Sequence, residues 1–86
     1  MDSHITRRFR KLFQELDPEI KKDAKQAYRL WLSDHFHPGL HFKPLEGHQN
    51  LWSVRIGLNY RALGVKDGDE ITWVWIGSHG DYDRRI

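Results

Sequence analysis

The sequence predicts an α+β fold in which an N-terminal antiparallel helical hairpin packs on a mainly antiparallel sheet of three or four strands. The first observation is a hydrophobic period of about 3.6 residues through residues 1–37, which is typical of helices. The second is a change to alternating apolar and polar side chains from residue 51 onward, which is typical of strands. The third is size, because 86 residues suit one small domain, and we expect residues 1–86 to form it.

Two amphipathic helices are predicted before residue 38. Apolar residues of the first recur at helical spacing: Ile5, Phe9, Leu12, Phe13 and Leu16. Those of the second do the same: Ile20, Ala24, Ala27, Tyr28 and Trp31. Ser3 or Thr6 can cap the first helix, and Asp17-Pro18 is a start signal for the second. The second helix is expected to end at the His-Pro-Gly run of residues 37–39, because the residue before proline avoids helical angles.

Short strands are predicted after the helices. They are an edge strand at 40–43 and three clearer strands at 51–56, 60–65 and 70–76. Residues 57–59 form one hairpin turn, and Asp67-Gly68 is a strong signal for a second turn of two residues. Residues 81–86 are charged and are predicted to form a tail.

The two turns set the strand register, and the register sorts side chains onto two faces of the sheet. The first turn pairs Arg55 with Arg61, and the second pairs Val65 with Glu70. One face has no charge and is expected to pack on the helices: Trp52, Val54, Ile56, Tyr60, Ala62, Gly64, Ile71, Trp73 and Trp75. The other is half apolar and holds both arginines: Ser53, Arg55, Arg61, Leu63, Thr72, Val74 and Ile76.

The two arginines are the first candidates for a binding site. Neighbouring guanidinium groups repel one another unless an anion lies between them, and their planar donors suit phosphate. The functional hypothesis is therefore contact with RNA phosphate or with an acidic partner. The structural alternative is pairing with acids of the same chain: Glu46, Asp81 or Asp83.

His79 and Tyr82 are the next candidates, because they follow the most apolar strand. Loops at strand ends often display reactive groups, and imidazole exchanges protons near neutral pH. A tyrosine can stack on a base or hold an oxygen atom. The alternative is an ordinary surface loop whose tyrosine rests on the sheet edge.

Composition excludes several classes of protein. The chain has no cysteine, so disulfides, thiolate chemistry and cysteine-bound zinc are excluded. No apolar run approaches the roughly 18–20 residues of a membrane span, and no signal peptide is visible. The formal charge is only +2, but residues 1–43 hold nine Lys/Arg against six Asp/Glu, whereas residues 44–86 hold five against six.

A group of histidines lies after the second helix: His35, His37, His41 and His48. Their spacing is not a recognised set of metal ligands, so we expect no metal here. No phosphate-binding loop or other cofactor motif is present, and we expect no cofactor.

Several segments of the chain together carry a family resemblance. They are Lys43-Pro44-Leu45-Glu46-Gly47, Trp52-Ser53-Val54-Arg55-Ile56-Gly57, Tyr60-Arg61, and Ile76-Gly77-Ser78-His79 with Tyr82. The run Leu16-Asp17-Pro18-Glu19-Ile20 is also similar to the turn between the helices of that family. These segments resemble the RelE/ParE superfamily of bacterial toxins from toxin–antitoxin operons, over nearly the whole chain.

The resemblance implies a cytoplasmic toxin that a cognate antitoxin protein neutralises. RelE-type members cleave mRNA in the ribosomal A site, by attack of the ribose 2′-OH on the adjacent phosphate. Carried onto matching positions, Arg61 would stabilise the developing charge and Arg55 would hold substrate phosphate or orient the site. His79 would be the general acid or base, and Tyr82 would position that base or the scissile phosphate.

Two further positions match the family less specifically. Lys43 would contact RNA, and Glu46 lies where some members place a general base. Family members usually begin with a strand, but Met1–Ile5 is short and polar, so that strand is expected to be short or absent. Little of the basic C-terminus seen in many relatives follows Tyr82.

Two other functions stay open within the same family. The ParE branch shares the fold, lacks the nuclease residues and inhibits DNA gyrase. An inactive member would only bind its antitoxin. An open sheet edge beside residues 40–43 makes self-pairing conceivable, so the oligomeric state is left open.

Overall fold

The computed structural model describes residues 1–85, with Arg85 described by its backbone only. The elements in chain order are β1 Asp2–Ile5, α1 Arg7–Gln14, α2 Pro18–Ser33, a 3₁₀ turn Pro38–Leu40, β2 Lys43–Pro44, β3 Leu51–Ile56, β4 Tyr60–Asp67, β5 Glu70–Ser78 and α3 His79–Arg85. Within these residues, five strands form one sheet in the order β1-β5-β4-β3-β2. Strand β1 runs parallel to β5, and the other neighbours are antiparallel. The predicted α+β class is confirmed, with more strands than the three or four expected.

The N-terminal strand exists and is short. It has four residues and includes Ile5, which the spacing had assigned to the first helix. Helix α1 begins after Thr6, whose side chain accepts a hydrogen bond from the Phe9 N–H at 3.1 Å. The Thr6 N–H also donates to the carbonyl of Trp73 at 3.1 Å. Thr6 therefore ends the strand pairing and caps the helix, and the apolar Ile5 extended the helical pattern only by coincidence.

Helix α2 begins where predicted, with Asp17 before Pro18, but it ends at Ser33 rather than at residue 37. Two side chains at and just past its end contact carbonyls of its last turn, in place of further helical hydrogen bonds. His35 Nδ1 lies 2.6 Å from the Trp31 carbonyl, and the Ser33 hydroxyl donates to the Leu30 carbonyl at 3.0 Å.

The prediction of an edge strand at residues 40–43 is wrong. Pro38–Leu40 forms a 3₁₀ turn, and His41 has a φ of +48°, so the chain cannot be extended there. The edge strand is only Lys43–Pro44, paired with β3. Leu40 and Phe42 turn inward instead and are buried in the core.

The hairpin between β4 and β5 also differs from the prediction. Asp67 is in register with Glu70, so the two turn residues are Gly68 and Asp69, not Asp67 and Gly68. Gly68 has a φ of +57°, which a residue without Cβ adopts readily. Val65 therefore pairs with Thr72 rather than with Glu70.

A β-bulge in the same hairpin places Trp75 and Ile76 each on the face opposite to the one predicted. Gly64 lies opposite Trp73, but the next residue, Leu63, lies opposite Trp75. The extra residue reverses the alternation of faces beyond that point. Ile76 therefore joins the helix-facing core, and Trp75 lies on the other face, the reverse of the sequence prediction for both.

Trp31 lies at the centre of the helix-facing core and is only 1% exposed. Its ring meets those of Phe42 and Trp73 edge-on, with centroids 5.8 and 5.5 Å apart. Such edge-to-face pairs add roughly 0.5–1.5 kcal/mol beyond area burial, which matters in a domain this small. Among residues 1–85, none of the helices has the length and apolar character needed to cross a lipid bilayer.

Candidate functional site

Arg61 lies near the start of the middle strand, β4, on the face of the sheet opposite α1 and α2, which is called the open face below. It is in register with Arg55 on one side and Gly77 on the other, so the predicted pairing of the two arginines is confirmed. Leu63 and Trp75 form the next row of this face, and both are buried. Arg61 thus rises beside an apolar floor.

Tyr82 holds the guanidinium of Arg61. The Arg61 Cζ atom lies 5.2 Å from the centroid of the Tyr82 ring, which is within the range of a cation–π contact. The Nη1 atom of Arg61 is buried, and it has no hydrogen-bond partner within the part of the chain described. A buried donor without a partner costs about 1–3 kcal/mol, so this guanidinium is held at a cost to the stability of the fold.

His79 and Tyr82 lie on helix α3, where the sequence predicted a loop and a charged tail. The Ser78 hydroxyl accepts a hydrogen bond from the Asp81 N–H at 3.2 Å and so caps this helix. The helical spacing stacks the His79 ring on Tyr82, with centroids 6.0 Å apart. The predicted tail also included Ile86, which lies outside the described residues.

The imidazole of His79 is half exposed and has a carboxylate beside it. Its Nε2 atom lies 3.4 Å from Oδ2 of Asp83, one helical turn on. An imidazole exposed to this extent can be reached by a substrate and has the chemistry of a general acid or base. Asp83 lies within ion-pair distance of the ring, and sequence reasoning had assigned Asp83 only to a possible ion pair with an arginine.

Arg55 turns to the end of its own hairpin. Its Nε atom donates to the carbonyl of Gly57 at 3.0 Å. It also lines a shallow groove of about 220 Å³ together with Asp23 and Gln26 of α2. Among residues 1–85, neither Arg55 nor Arg61 forms an ion pair, so the predicted structural alternative of pairing with Glu46, Asp81 or Asp83 is wrong.

Lys43 and Glu46 lie at the far edge of the sheet. Lys43 is in register with Ser53, so its exposed side chain shares the open face with Arg61. Glu46 lies in the exposed loop after β2, two strands away from Arg61. The structure therefore groups Arg61, His79 and Tyr82 and leaves these two at a distance.

Three residues beneath the site were not singled out from the sequence: Ser53, Trp75 and Gly77. Ser53 is fully buried, and its hydroxyl has no hydrogen-bond partner within the part of the chain described. A Cβ added at Gly77 would lie 2.5 Å from Cζ2 of Trp75, so the indole ring lies directly against this glycine. The contact exists because the bulge places Trp75 on this face, and the alternation of side chains in the sequence did not predict that.

A second concave surface lies on the helix face. A cleft of about 480 Å³ opens between α1 and α2. Its floor is apolar and is made by residues of the sheet: Val54, Ile56, Ala62, Trp73 and Ile76. Arg10, Lys25 and Arg29 stand on its walls, and Ile5 and Tyr28 beside it are 46% and 41% exposed.

The four clustered histidines do not converge on one point. His35 binds the end of α2, and His37 Nδ1 accepts a hydrogen bond from the Gly39 N–H at 3.1 Å. Within the described part of the chain, no three His, Asp or Glu side chains are grouped so that they could hold a metal ion.

A model of a protein family, described as a ParE-like toxin domain, matches residues 18–84. No curated protein sequence gives a significant match to the chain. Among solved structures, RelE in the RelB–RelE antitoxin–toxin complex of Methanococcus jannaschii is similar, with a TM-score of 0.77 and 19% identity over 96% of this chain and 98% of that one.

Two further solved structures share the fold. The YoeB/ParE toxin of Agrobacterium tumefaciens has a TM-score of 0.70 and 19% identity, over 92% of this chain and 99% of that one. The isolated E. coli RelE toxin has a TM-score of 0.69 and 12% identity, over 98% and 96%. At these identities the similarity establishes the fold, and the chemistry has to be argued from the site.

Proposed function

Because this chain belongs to the family of ParE-like toxin domains, we propose that it is the toxin of a toxin–antitoxin pair and that it inhibits translation by cleaving mRNA on the ribosome. The observation that carries the proposal is the Arg61 guanidinium, held by Tyr82 beside His79 and left with a buried donor that lacks a partner. An endoribonuclease needs this combination of charge stabilisation and proton transfer at one phosphate.

The proposed reaction is attack of a ribose 2′-OH on the adjacent phosphorus. The bond from the 2′-oxygen to phosphorus forms, the bond from phosphorus to the 5′-oxygen breaks, and the products are a 2′,3′-cyclic phosphate and a 5′-OH. Arg61 stabilises the charge that develops on the phosphorane oxygens. Removal of a stabiliser of this kind typically lowers the rate about 10²–10³-fold.

His79 supplies the proton transfer in this proposal. It gives a proton to the departing 5′-oxygen or takes the one that the 2′-OH loses, and Asp83 lies within ion-pair distance of it. Tyr82 keeps the guanidinium in place and can contact the scissile phosphate. Glu46 would be a general base only if the substrate brought its loop closer, so it is the weakest member of the set.

RNA binding is proposed for the rest of the open face. Lys43 shares that face and would contact the RNA backbone through a charge that does not read sequence. Arg55 is proposed to contact substrate phosphate, or to orient the site. These contacts fit mRNA on the ribosome, and such a toxin would act in the cytoplasm.

The partner protein in this proposal is a cognate antitoxin. The similar Methanococcus jannaschii structure contains the toxin RelE together with the antitoxin RelB. We expect the antitoxin to cover the open face, which carries Arg55 and Arg61, because covering this face keeps RNA away from the site. Slowed amide exchange of this face on antitoxin binding would support the idea, and unchanged exchange there would contradict it.

The experiment that tests the nuclease is induction of the protein followed by mapping of mRNA 5′ ends. Wild type should produce new ends in phase with codons, and Arg61→Ala and His79→Ala should lose them. Arg29→Ala, on the opposite face, is the matched control and should keep them. Growth arrest with intact mRNA would refute the nuclease.

Inhibition of DNA gyrase is the second candidate. The observation that favours it is that Glu46, the other candidate for a general base, lies two strands away from Arg61, so the described site does not bring it together with His79 as an acid–base pair. It predicts induction of the DNA-damage response and inhibited supercoiling while mRNA stays intact. Unaffected growth on strong expression would indicate an inactive member that only binds its antitoxin.

A further inference from the structure

Three of the described contacts hold α3 against the sheet. This helix has seven residues, and helices this short do not persist alone in water. Besides the Ser78 cap and the contact of Tyr82 with Arg61, the His79 N–H donates to the carbonyl of Asn59 at 2.6 Å. This bond fastens the first residue of α3 to the turn between β3 and β4.

That turn is held in place from two sides. Gly57 has a φ of +57°, and a Cβ on it would lie 3.1 Å from Oδ2 of Asp23, so α2 lies directly against the turn. On the other side, the Nε atom of Arg55 donates to the Gly57 carbonyl at 3.0 Å. Asp23 and Arg55 therefore hold the first residue of the turn, Gly57, and the last residue, Asn59, accepts the hydrogen bond from His79.

We propose that Arg55 is a positioning residue, which acts on the site through the turn of residues 57–59. The path runs from Arg55 Nε to the Gly57 carbonyl, along the turn to the Asn59 carbonyl, and from there to the His79 N–H and α3. Loss of the Arg55 bond lets the turn move, and His79 and Tyr82 then lose their alignment on Arg61. The catalytic part of this inference rests on the proposed nuclease, but the structural part does not.

The second hairpin turn provides a matched control. Lys66 Nζ donates to the carbonyl of Gly68 at 2.9 Å, again two residues on, and Gly68 has the same φ of +57°. This turn lies at the opposite end of β4, away from α3. The two turns therefore have the same local bond and differ in what they support.

Two substitutions separate positioning from direct contact with RNA. Arg55→Gln removes the charge but keeps an N–H donor at the same distance along the side chain as Nε. Arg55→Met has a similar length and keeps neither. Positioning predicts that Gln restores function that Met loses, whereas a phosphate contact predicts that both fail alike because both lack the charge.

The first measurement is amide exchange of His79 by NMR in the isolated protein, with urea unfolding to correct for global stability. Arg55→Met should speed His79 exchange about 2- to 13-fold, which corresponds to the net contribution of one hydrogen bond. Arg55→Gln should exchange more slowly than Arg55→Met, and Lys66→Met should leave His79 exchange as in wild type. Equal His79 exchange in wild type and Arg55→Met would overturn the proposal.

The second measurement is cleavage of mRNA on programmed ribosomes by the same variants. Positioning predicts a lower kcat with little change in KM for Arg55→Met, and partial rescue by Arg55→Gln. A raised KM shared equally by both variants would overturn it in favour of direct binding. If wild type cleaves nothing, the proposed function fails, and the His79 exchange result still decides whether Arg55 holds α3.

Discussion

A methyl group added at Gly77 tests the packing beneath the site. The Cβ of alanine there would lie 2.5 Å from Cζ2 and 2.8 Å from Cη2 of Trp75. Carbon atoms pack at about 3.5–4.0 Å, so the indole ring would have to move by about 1 Å. Trp75 is only 5% exposed, which leaves it little room to do so.

The cost should therefore be that of an overpacked core. Inserting a methyl group into a filled interior typically costs about 1–3 kcal/mol. For a domain of this size each kcal/mol lowers Tm by about 4–8 °C, so Gly77→Ala should melt at least about 4 °C below wild type. Urea unfolding followed by far-UV circular dichroism measures the same loss independently.

Gly80→Ala is the matched control for that prediction. Gly80 lies in α3, and the nearest atom to a Cβ there is Oγ of Ser78 at 4.0 Å, so the methyl group has space. Alanine favours a helix over glycine by up to about 1 kcal/mol, and this variant should be as stable as wild type or more so. Equal unfolding midpoints for Gly77→Ala and Gly80→Ala would refute the description of the open face.

The remaining predictions concern a cap, a buried hydroxyl and the aromatic contact of the site. Thr6→Ala removes the N-cap of α1 and should lower the free energy of unfolding by about 1 kcal/mol, whereas Thr6→Ser, which loses the methyl group but keeps the hydroxyl that accepts the Phe9 N–H, should recover most of it. Ser53→Ala removes a buried hydroxyl without a described partner and should be neutral or slightly stabilising in urea unfolding; a loss of 1 kcal/mol or more would show that the hydroxyl is bonded. Tyr82→Leu should lose about 0.5–2 kcal/mol of unfolding free energy with the cation–π contact, and Tyr82→Phe should retain it.

Local signals predicted most of the fold. The start of α2 follows from Pro18 at its first position, although the Asp17 side chain forms no capping hydrogen bond. The three long strands follow from the alternation of apolar side chains. The pairing of Arg55 with Arg61 follows from a turn of three residues, since turn length sets register. These features depend on neighbours in sequence.

The features that were predicted wrongly depend on contacts between residues that are distant in sequence. The bulge at Val74, between Trp73 and Trp75 in β5, moved one tryptophan across the sheet, because a single extra residue reverses the alternation beyond it. Strand β1 forms because β5 offers it a parallel partner, and a four-residue polar segment gives little signal of that. Helix α3 is likewise held by tertiary contacts, so Asp81–Arg85 looked like a tail.

The sequence named candidate residues for the site, but it did not predict how the structure positions them. Arg61, His79 and Tyr82 do lie together, although helix α3 and not a loop brings them there. Arg55 could not be placed from the sequence, because its bond to the Gly57 carbonyl depends on the conformation of a long side chain. Asp83 was recognised as a charge but not as the neighbour of His79.

The most direct test of the proposed chemistry is cleavage of a synthetic mRNA on purified ribosomes by the purified protein. The proposal predicts a cut that leaves a 2′,3′-cyclic phosphate, and loss of that cut when the nucleotide before the scissile phosphate lacks its 2′-OH. Arg61→Ala should slow the reaction about 10²–10³-fold. An intact message, or a cut that survives removal of the 2′-OH, would contradict the assignment of Arg61, His79 and Tyr82 to this reaction.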